Sequence, residues 1–257
     1  MLPLKIQTKC QALEVSDSDG IRYLMSGTGM FREQSAIDLA DLHKHVFDYS
    51  LLAMYSLTFI PHPTNILVIG LGGGVIPREF AHFCPNADID IFEIDNVIVN
   101  VAREYFFFKD DTNGMDKIHT HIAEGFTATH NTDSSYDIIV LDAFLGQYIP
   151  FPFMSLEFVS VSNKILKDRG VLSINACNVH PAFEPHVKTL SEVYGDNIYS
   201  LNGQGNVYAT TIYACKDDTE PSSDIGLPSN YYPNQCPSKI AMTDGIKNSK
   251  IFSMKNV

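Results

Sequence analysis

A run of glycines and an acidic residue stand at the ends of two apolar segments, where they could contact a ligand. Gly70, Gly72 and Gly73 follow the apolar run ILVI, and Glu93 ends the segment DIDIFE. Glycines let the backbone approach a ligand closely, and an acid about 20 residues after such a loop can accept hydrogen bonds from both ribose hydroxyls. Together they indicate a nucleoside-binding site, which NAD and S-adenosylmethionine-type nucleosides both fit.

Two further acids follow later apolar segments. Glu124 comes after KIHTHI, and an acid there can meet the amino group of an adenine. Asp142 ends the run YDIIVL and is expected at the edge of a sheet beside the nucleoside, not in the core. Its structural alternative is a helix N-cap or a turn residue.

The elements that must position these residues alternate along the chain. Strands are expected at 66–70, 88–95, 117–122, 136–144 and 170–176, and helices at 77–84, 96–106, just after 124, at 155–166 and at 182–193. Continuous apolar strands separated by helices favour an α/β fold with a parallel sheet covered on both faces. Such sheets bind ligands at the carboxyl ends of their strands, where the glycines and acids fall.

The flanking segments suggest three domains. Residues 1–40 alternate apolar and polar side chains around the turn SDSDG and predict an N-terminal β-hairpin domain. Residues 41–215 begin with helical spacing over 41–59, contain the alternating units and end in a β pair; they form the nucleoside-binding domain. Residues 216–257 are rich in Pro, Ser, Asn and Asp and predict a loop-rich tail.

The composition and net charge disfavour nucleic acids and membranes as binding partners. The chain has 257 residues with a formal net charge of -12, which disfavours binding to nucleic acid or to an anionic membrane. No apolar stretch approaches the ~20 residues that span a bilayer. The five cysteines are odd in number and lack a CxxC pair, so we expect a reducing, cytoplasmic location. His119 and His121 have no neighbouring ligands at metal spacing, and we expect no metal.

Several sequence motifs, taken together and in this order, resemble those of a known protein family. The segments ILVIGLGGG, FEID, VAREYF, AEG, YDIIVLDAF and IPFPFMSLEF resemble the spermidine synthase superfamily, the polyamine aminopropyltransferases, over about residues 10 to 215. The resemblance implies a small N-terminal β-domain on a Rossmann-like, class I methyltransferase fold. It also implies a homodimer, decarboxylated S-adenosylmethionine as the donor and a small-molecule amine as the acceptor.

The resemblance also implies roles for individual residues. Glu93 would hold the ribose, Glu124 the adenine amino group, and Gln34 would line the tail of the donor. Asp142 would take the proton from the attacking amine. Tyr49 matches the start of a conserved Tyr-His-Glu segment of the family and would bind substrate.

The chain departs from the family at three acidic positions. Gly73 stands where the family usually has an Asp that binds the donor amine, and Leu145 and Leu51 replace two further acids. Tyr148 and the apolar IPFPF form a lid or pocket wall that favours an acceptor less polar than a bare diamine. The pattern resembles a divergent, spermidine-synthase-like branch. Methyl transfer from intact S-adenosylmethionine and nucleoside binding without catalysis are the alternatives.

Overall fold

A computed structural model describes residues 2–26, 32–111, 117–144, 149–204, 209–222 and 238–239. Within these ranges the chain forms two sheets, of four and eight strands. Tyr148 and Leu145 lie outside the described residues, as does most of the predicted tail, namely 223–237 and 240–257.

The first sheet is the predicted N-terminal hairpin region. Its antiparallel strands lie in chain order: β1 Leu4–Gln7, β2 Ala12–Ser18, β3 Ile21–Ser26 and β4 Glu33–Asp38. Asp19 and Gly20 have positive φ angles of 52° and 79°, the conformation that a tight turn between β2 and β3 requires. Leu13 and Val15 of β2 are buried, so one face of this sheet packs on the core.

The second sheet has the predicted parallel centre. Its parallel strands are β5 Asn65–Ile69, β6 Asp88–Glu93, β7 Ile118–Ile122, β8 Tyr136–Leu141 and β9 Leu166–Cys177. Three strands, β10 Ile198–Asn202, β11 Ala209–Cys215 and β12 Ser238–Lys239, extend it with antiparallel pairing. The order is β12-β10-β11-β9-β8-β5-β6-β7, which confirms the α/β fold class.

Six helices accompany the sheets in the described ranges. They are α1 Asp48–Met54, α2 Val75–Phe83, α3 Asn96–Tyr105, α4 Gly125–Asn131, α5 Leu156–Ile165 and α6 Phe183–Tyr194. Short 3-10 turns occupy Tyr55–Thr58 and Phe151–Met154. None of the helices in these ranges is long and apolar enough to cross a membrane.

The helix predicted over 41–59 is shorter than expected. Asp41 instead starts a turn, in which its side chain accepts from the His43 N–H and its carbonyl from the Lys44 N–H. The helix begins at Asp48, after Phe47 in an extended conformation. A short polar side chain that binds nearby backbone competes with helix formation, which accounts for the late start.

The two faces of the large sheet pack into separate cores. Ile66 and Val68 of β5 belong to one cluster, with side chains from α1, α2, α3 and the N-terminal sheet. Leu67 and Ile69 belong to the other, with side chains from α5 and α6. The alternation along a single buried strand confirms the prediction that elements cover both faces.

The strand order creates a crevice at the carboxyl ends of two strands. The chain adds β6 and β7 on one side of β5, and then returns to place β8 on the other side. Such a reversal of strand order leaves an opening outside the sheet edge, where α/β proteins bind ligands. Gly70 follows β5 and Asp142 follows β8, so both lie at this opening.

The described part of the predicted tail packs on the large sheet. Thr219 is buried and donates a hydrogen bond to the carbonyl of Arg169. The Ser222 N–H donates to the carbonyl of Thr58. Farther along, β12 pairs with β10. The three domain boundaries drawn from the sequence stay predictions.

Candidate functional site

A cavity of about 910 Å³ lies at the carboxyl ends of the parallel strands. The N-terminal sheet and the start of α1 form its opposite wall. It brings together seven of the predicted site residues, namely Gln34, Tyr49, Gly70, Gly72, Glu93, Glu124 and Asp142. The volume is that of a typical pocket for a small molecule or cofactor.

The glycine loop turns sharply between β5 and α2, as predicted. Gly70 has a φ of 96°, and a Cβ there would overlap the backbone carbonyl of Asp142. Gly72 and Gly74 also have positive φ angles, 54° and 72°, and Gly74 is the N-cap of α2. Only glycine combines this backbone conformation with so close an approach of the β8 end.

At Gly73 the constraint is packing and not backbone conformation, because the neighbouring side chains leave no room for a Cβ atom. A Cβ at this position would lie 2.8 Å from Oγ of Ser35 and 2.9 Å from Cδ1 of Phe106. Phe106 is fully buried, and Ser35 is held by a hydrogen bond from or to the Tyr49 hydroxyl at 3.1 Å. The position at which the resemblance leads us to expect an acid is therefore filled here from β4 and from the end of α3.

We expect Gly73→Asp to lower the free energy of unfolding by about 1–3 kcal/mol, the usual cost of overpacking. In a Ser35→Gly background the cost should be smaller, because Oγ and Cβ of Ser35 no longer obstruct the new side chain and only the Phe106 ring remains. Urea denaturation of the two single variants and the double variant measures this coupling. An equal cost in both backgrounds would show that Ser35 is not the obstacle.

Glu93 ties the glycine loop to the end of β6. It is buried, and its Oε2 accepts a hydrogen bond from the Leu71 N–H at 3.0 Å while Oε1 accepts from the Asp95 N–H at 2.9 Å. Burial raises the pKa of Glu93, and these two backbone hydrogen bonds oppose the rise. A carboxylate has about four lone-pair sites, so each oxygen keeps one acceptor site for a ligand hydroxyl.

Glu124 is the N-cap of α4. Its Oε1 accepts from the Phe126 N–H at 3.0 Å, and its Oε2 accepts from the N–H and the hydroxyl of Thr127 at 2.8 and 2.7 Å. Partial burial works to raise the pKa of Glu124, but the hydrogen bonds from Thr127 and Phe126 outweigh it and lower the pKa. The side chain lines the cavity while it caps the helix, and its adenine role stays a prediction.

Asp142 is the first residue after β8, half-buried at the cavity wall. Its Oδ1 accepts a hydrogen bond from Nδ2 of Asn175 at 2.8 Å, and it caps none of the described helices. Burial raises the pKa of Asp142 to about 7; the Asn175 hydrogen bond lowers it and the charge of Glu93 raises it. A carboxyl group with this pKa can both accept and release a proton near neutral pH.

Gln34 and Tyr49 form the opposite wall of the cavity. The Gln34 side chain exchanges two hydrogen bonds with Gln11, at 2.8 and 3.3 Å. Burial raises the pKa of the Tyr49 hydroxyl well above its usual range, and the charge of Asp142 adds to this effect. Tyr49 is therefore a neutral hydrogen-bonding group. The substrate role of Tyr49 and the role of Gln34 at the tail of the donor stay predictions.

The sequence interpretation missed two residues of the site. Asn175 holds the Asp142 carboxylate, and Ser35 occupies the space beside Gly73. A signal for Asn175 was present, since it is a polar residue near the carboxyl end of a parallel strand, like Asp142. No local sequence pattern pointed to Ser35, because its contact with Gly73 depends on how the N-terminal sheet packs against the large sheet.

The histidines of β7 pair with acids outside the cavity. Nε2 of His121 lies 2.9 Å from Oδ1 of Asp90, and Nε2 of His119 lies 3.9 Å from Oδ1 of Asp88. Over the part of the chain that the structure describes, no group of three or more His, Cys, Asp or Glu side chains is arranged to hold a metal ion.

The fold is a Rossmann-like α/β fold with a cavity at the carboxyl ends of its parallel strands. The spermine/spermidine synthase domain matches residues 45–214, and the chain belongs to this family. A polyamine aminopropyltransferase of Vibrio vulnificus is 35% identical over 151 residues, which are 58% of this chain and 50% of that protein. The chain thus aligns with half the length of this relative.

Solved structures share the fold. A probable spermidine synthase from Corynebacterium glutamicum superposes with a TM-score of 0.71 at 17% identity, covering 86% of this chain and 81% of the other. The human methyltransferase-like protein 13, in complex with SAH, superposes with a TM-score of 0.53 at 25% identity, covering 68% and 81%. Both solved structures therefore share the fold of this chain.

Proposed function

We propose that this protein is a transferase that binds a nucleoside derived from S-adenosylmethionine and transfers an aminopropyl group to an amine. The observation that carries the proposal is the position of Asp142. It lies in the same cavity as Glu93 and the glycine loop and is oriented by Asn175. The membership of the family and the aminopropyltransferase relative support the same reaction class.

The residues of the cavity fit the proposed donor. Gly70 exposes backbone at the loop because a side chain there has no space, and Glu93 keeps acceptor sites for two hydroxyls. The cavity of about 910 Å³ has room for a nucleoside together with a small acceptor.

The proposed reaction assigns one proton transfer to this chain. An alkylamine has a pKa of ~10 and is protonated at neutral pH, so it cannot attack until it loses a proton. The Asp142 carboxylate binds the ammonium group and accepts that proton. The amine nitrogen then forms a bond to the carbon next to the sulfonium, the C–S bond breaks, and the electron pair leaves with the sulfur as a neutral thioether. The sulfonium supplies its own leaving group, so this step does not call for a metal.

Methyl transfer is the second candidate, and the packing at Gly73 favours it. The Ser35 hydroxyl and the Phe106 ring lie where an acidic side chain at position 73 would begin. Without a negative charge there, a donor that keeps its own carboxylate is not repelled. Intact S-adenosylmethionine would then bind, and a methyl group would be transferred. The homodimer expected from the resemblance and the cytoplasmic location expected from the cysteines stay predictions.

A comparison of donors separates the two candidates. We expect decarboxylated S-adenosylmethionine to bind at least about tenfold more tightly than S-adenosylmethionine, a difference of about 1.4 kcal/mol. Isothermal titration calorimetry with the full chain measures both affinities, and methylthioadenosine serves as the control without the donor tail. Tighter binding of the carboxylated donor would replace aminopropyl transfer by methyl transfer. Failure of all three to bind would refute the nucleoside site itself.

A further inference from the structure

Asp95 has one carboxylate oxygen that the described part of the chain does not use. The residue lies between the end of β6 and the start of α3, and it lines the cavity of about 910 Å³. Its Oδ1 accepts a hydrogen bond from the Val97 N–H at 2.9 Å and so caps α3. Its Oδ2 is buried and has no hydrogen-bond partner among the described residues. One oxygen of Asp95 therefore has a structural role, and the other is left for a different partner.

An unpaired carboxylate oxygen in a protein interior calls for an explanation. Asp95 is only 5% exposed, and a buried acceptor without a partner has lost its hydration with nothing in return. Nearly all buried polar atoms of native proteins have a hydrogen-bond partner for this reason. On a residue that lines a ligand cavity, such an oxygen indicates a hydrogen-bond donor on the ligand.

The described lining of the cavity offers no basic side chain as the partner. It contains six acids and no Lys, Arg or His. Neither Glu93 nor Asp95 forms an ion pair with any residue that the structure describes. Cys10 of the turn between β1 and β2 lines the same cavity; burial raises the pKa of its thiol, and the nearby charges of Asp95 and Glu93 raise it further. The thiol is therefore neutral and does not balance the two carboxylates.

The position of Asp95 beside Glu93 indicates which ligand group is the donor. Oε1 of Glu93 accepts a hydrogen bond from the N–H of Asp95 at 2.9 Å, so this oxygen faces the start of α3. The proposed function places the two ribose hydroxyls at the free acceptor sites of Glu93. The hydroxyl at Oε1 is then the ligand donor nearest to Asp95.

We propose, on the basis of the proposed function, that Asp95 is a second ribose-binding acid of this cavity. The ribose hydroxyl at Oε1 of Glu93 shares its proton with Oδ2 of Asp95 in a three-centre hydrogen bond. Glu93 binds both hydroxyls, whereas Asp95 contacts only one of them. Asp95 thereby contributes to the selection of ribonucleosides over analogues that lack this hydroxyl.

The test removes Oδ2 from the protein and each hydroxyl in turn from the ligand. Asp95→Ser keeps an N-cap oxygen for α3 but has no second oxygen. Calorimetry with the full chain measures the affinities of methylthioadenosine and of its 2′-deoxy and 3′-deoxy analogues. We expect the substitution to weaken methylthioadenosine about fivefold, the contribution of one hydrogen bond. The analogue that lacks the shared hydroxyl should bind the variant and the parent with affinities within about twofold of each other.

Asp41→Ser is the matched control. Asp41 also accepts a hydrogen bond from the backbone N–H two residues ahead, that of His43 at 3.0 Å, but it does not line the cavity. This variant should bind all three nucleosides as the parent does. If Asp95→Ser does not fold, Asp95→Asn takes its place, because asparagine caps a helix as well as aspartate does and presents an NH₂ group in place of Oδ2.

A smaller loss for at least one analogue than for methylthioadenosine supports the assignment, and two results would overturn it. One is a variant that binds methylthioadenosine as tightly as the parent. The other is a variant that loses the same factor with all three nucleosides, which would mean that Asp95 acts only through the structure at the start of α3. Both results leave nucleoside binding by the parent intact and so spare the proposed function. A parent protein that does not bind methylthioadenosine overturns both.

Discussion

Asp142→Asn is expected to lower turnover about 10²- to 10⁴-fold, the usual contribution of a general base. Asparagine has nearly the same size and can still accept the hydrogen bond from Asn175, but it cannot take a proton from the attacking amine. Affinity for methylthioadenosine should change little, because Glu93 and the glycine loop remain. Single-turnover kinetics with the preferred donor measures the rate, and calorimetry measures the affinity.

The matched control for this prediction lies on the same strand. Asp137, near the start of β8, has a carboxylate that binds Lys167 at 2.9 Å and does not line the cavity. Asp137→Asn should therefore keep its turnover, whatever it loses in stability. An Asp142→Asn variant with the parental rate would remove Asp142 from the role of base, and a variant that merely unfolds would return it to a structural role.

The pKa of about 7 at Asp142 makes two pH effects measurable. Turnover should rise with pH as the carboxyl loses its proton and level off above about pH 7. Stability should change in the opposite sense: because the folded-state pKa is raised, the contribution of Asp142 is fully present below the ordinary pKa of ~4 and is lost as pH rises through about 7. Asp142→Asn should therefore raise the Tm relative to the parent more at pH 8 than at pH 4. An advantage that is larger at pH 4 would contradict the pKa shift.

Glu93→Ala is expected to weaken methylthioadenosine binding by at least about a hundredfold. The reason is the loss of the two hydrogen bonds that the proposed ribose hydroxyls would donate to the carboxylate, each contributing about 1.5–3 kcal/mol. The carboxylate also holds the Leu71 and Asp95 N–H groups, so the glycine loop loses its tether to β6 at the same time. Isothermal titration calorimetry measures the affinity, and differential scanning calorimetry measures the accompanying change in Tm.

Asp90→Ala is the matched control for Glu93, because it removes an acid from the same strand. Asp90 accepts hydrogen bonds outside the cavity, including one from the Tyr136 hydroxyl at 3.0 Å. This variant should lose stability and keep its nucleoside affinity. If Glu93→Ala binds methylthioadenosine as the parent does, Glu93 has no ribose role and acts only as the tether of the loop.

Much of the fold could be predicted because its signals are local. The apolar runs that become β5 and β8 are buried over most of their length in a parallel sheet, and such strands read as nearly continuous hydrophobic segments. The position of the glycine loop could also be predicted from a local signal. A sharp turn between a buried strand and a helix requires several glycines directly after the strand. The helix over 41–59 was predicted too long, because helical spacing of apolar residues does not reveal the turn that Asp41 stabilises.

The sequence by itself determined the α/β class, the position of the ligand crevice and the acids at its edge. The fold class follows from the spacing of apolar residues along each strand and helix. The positions of the crevice and its acids follow from the rule that the carboxyl ends of parallel strands lie at the same edge of the sheet. Only the tertiary structure decided the chemistry of that edge. Asn175 binds Asp142 across 33 positions of sequence, and Ser35 of the N-terminal sheet fills the space at Gly73. The physical reason is that burial, and with it the pKa of Asp142, depends on packing between distant segments, which no local pattern encodes.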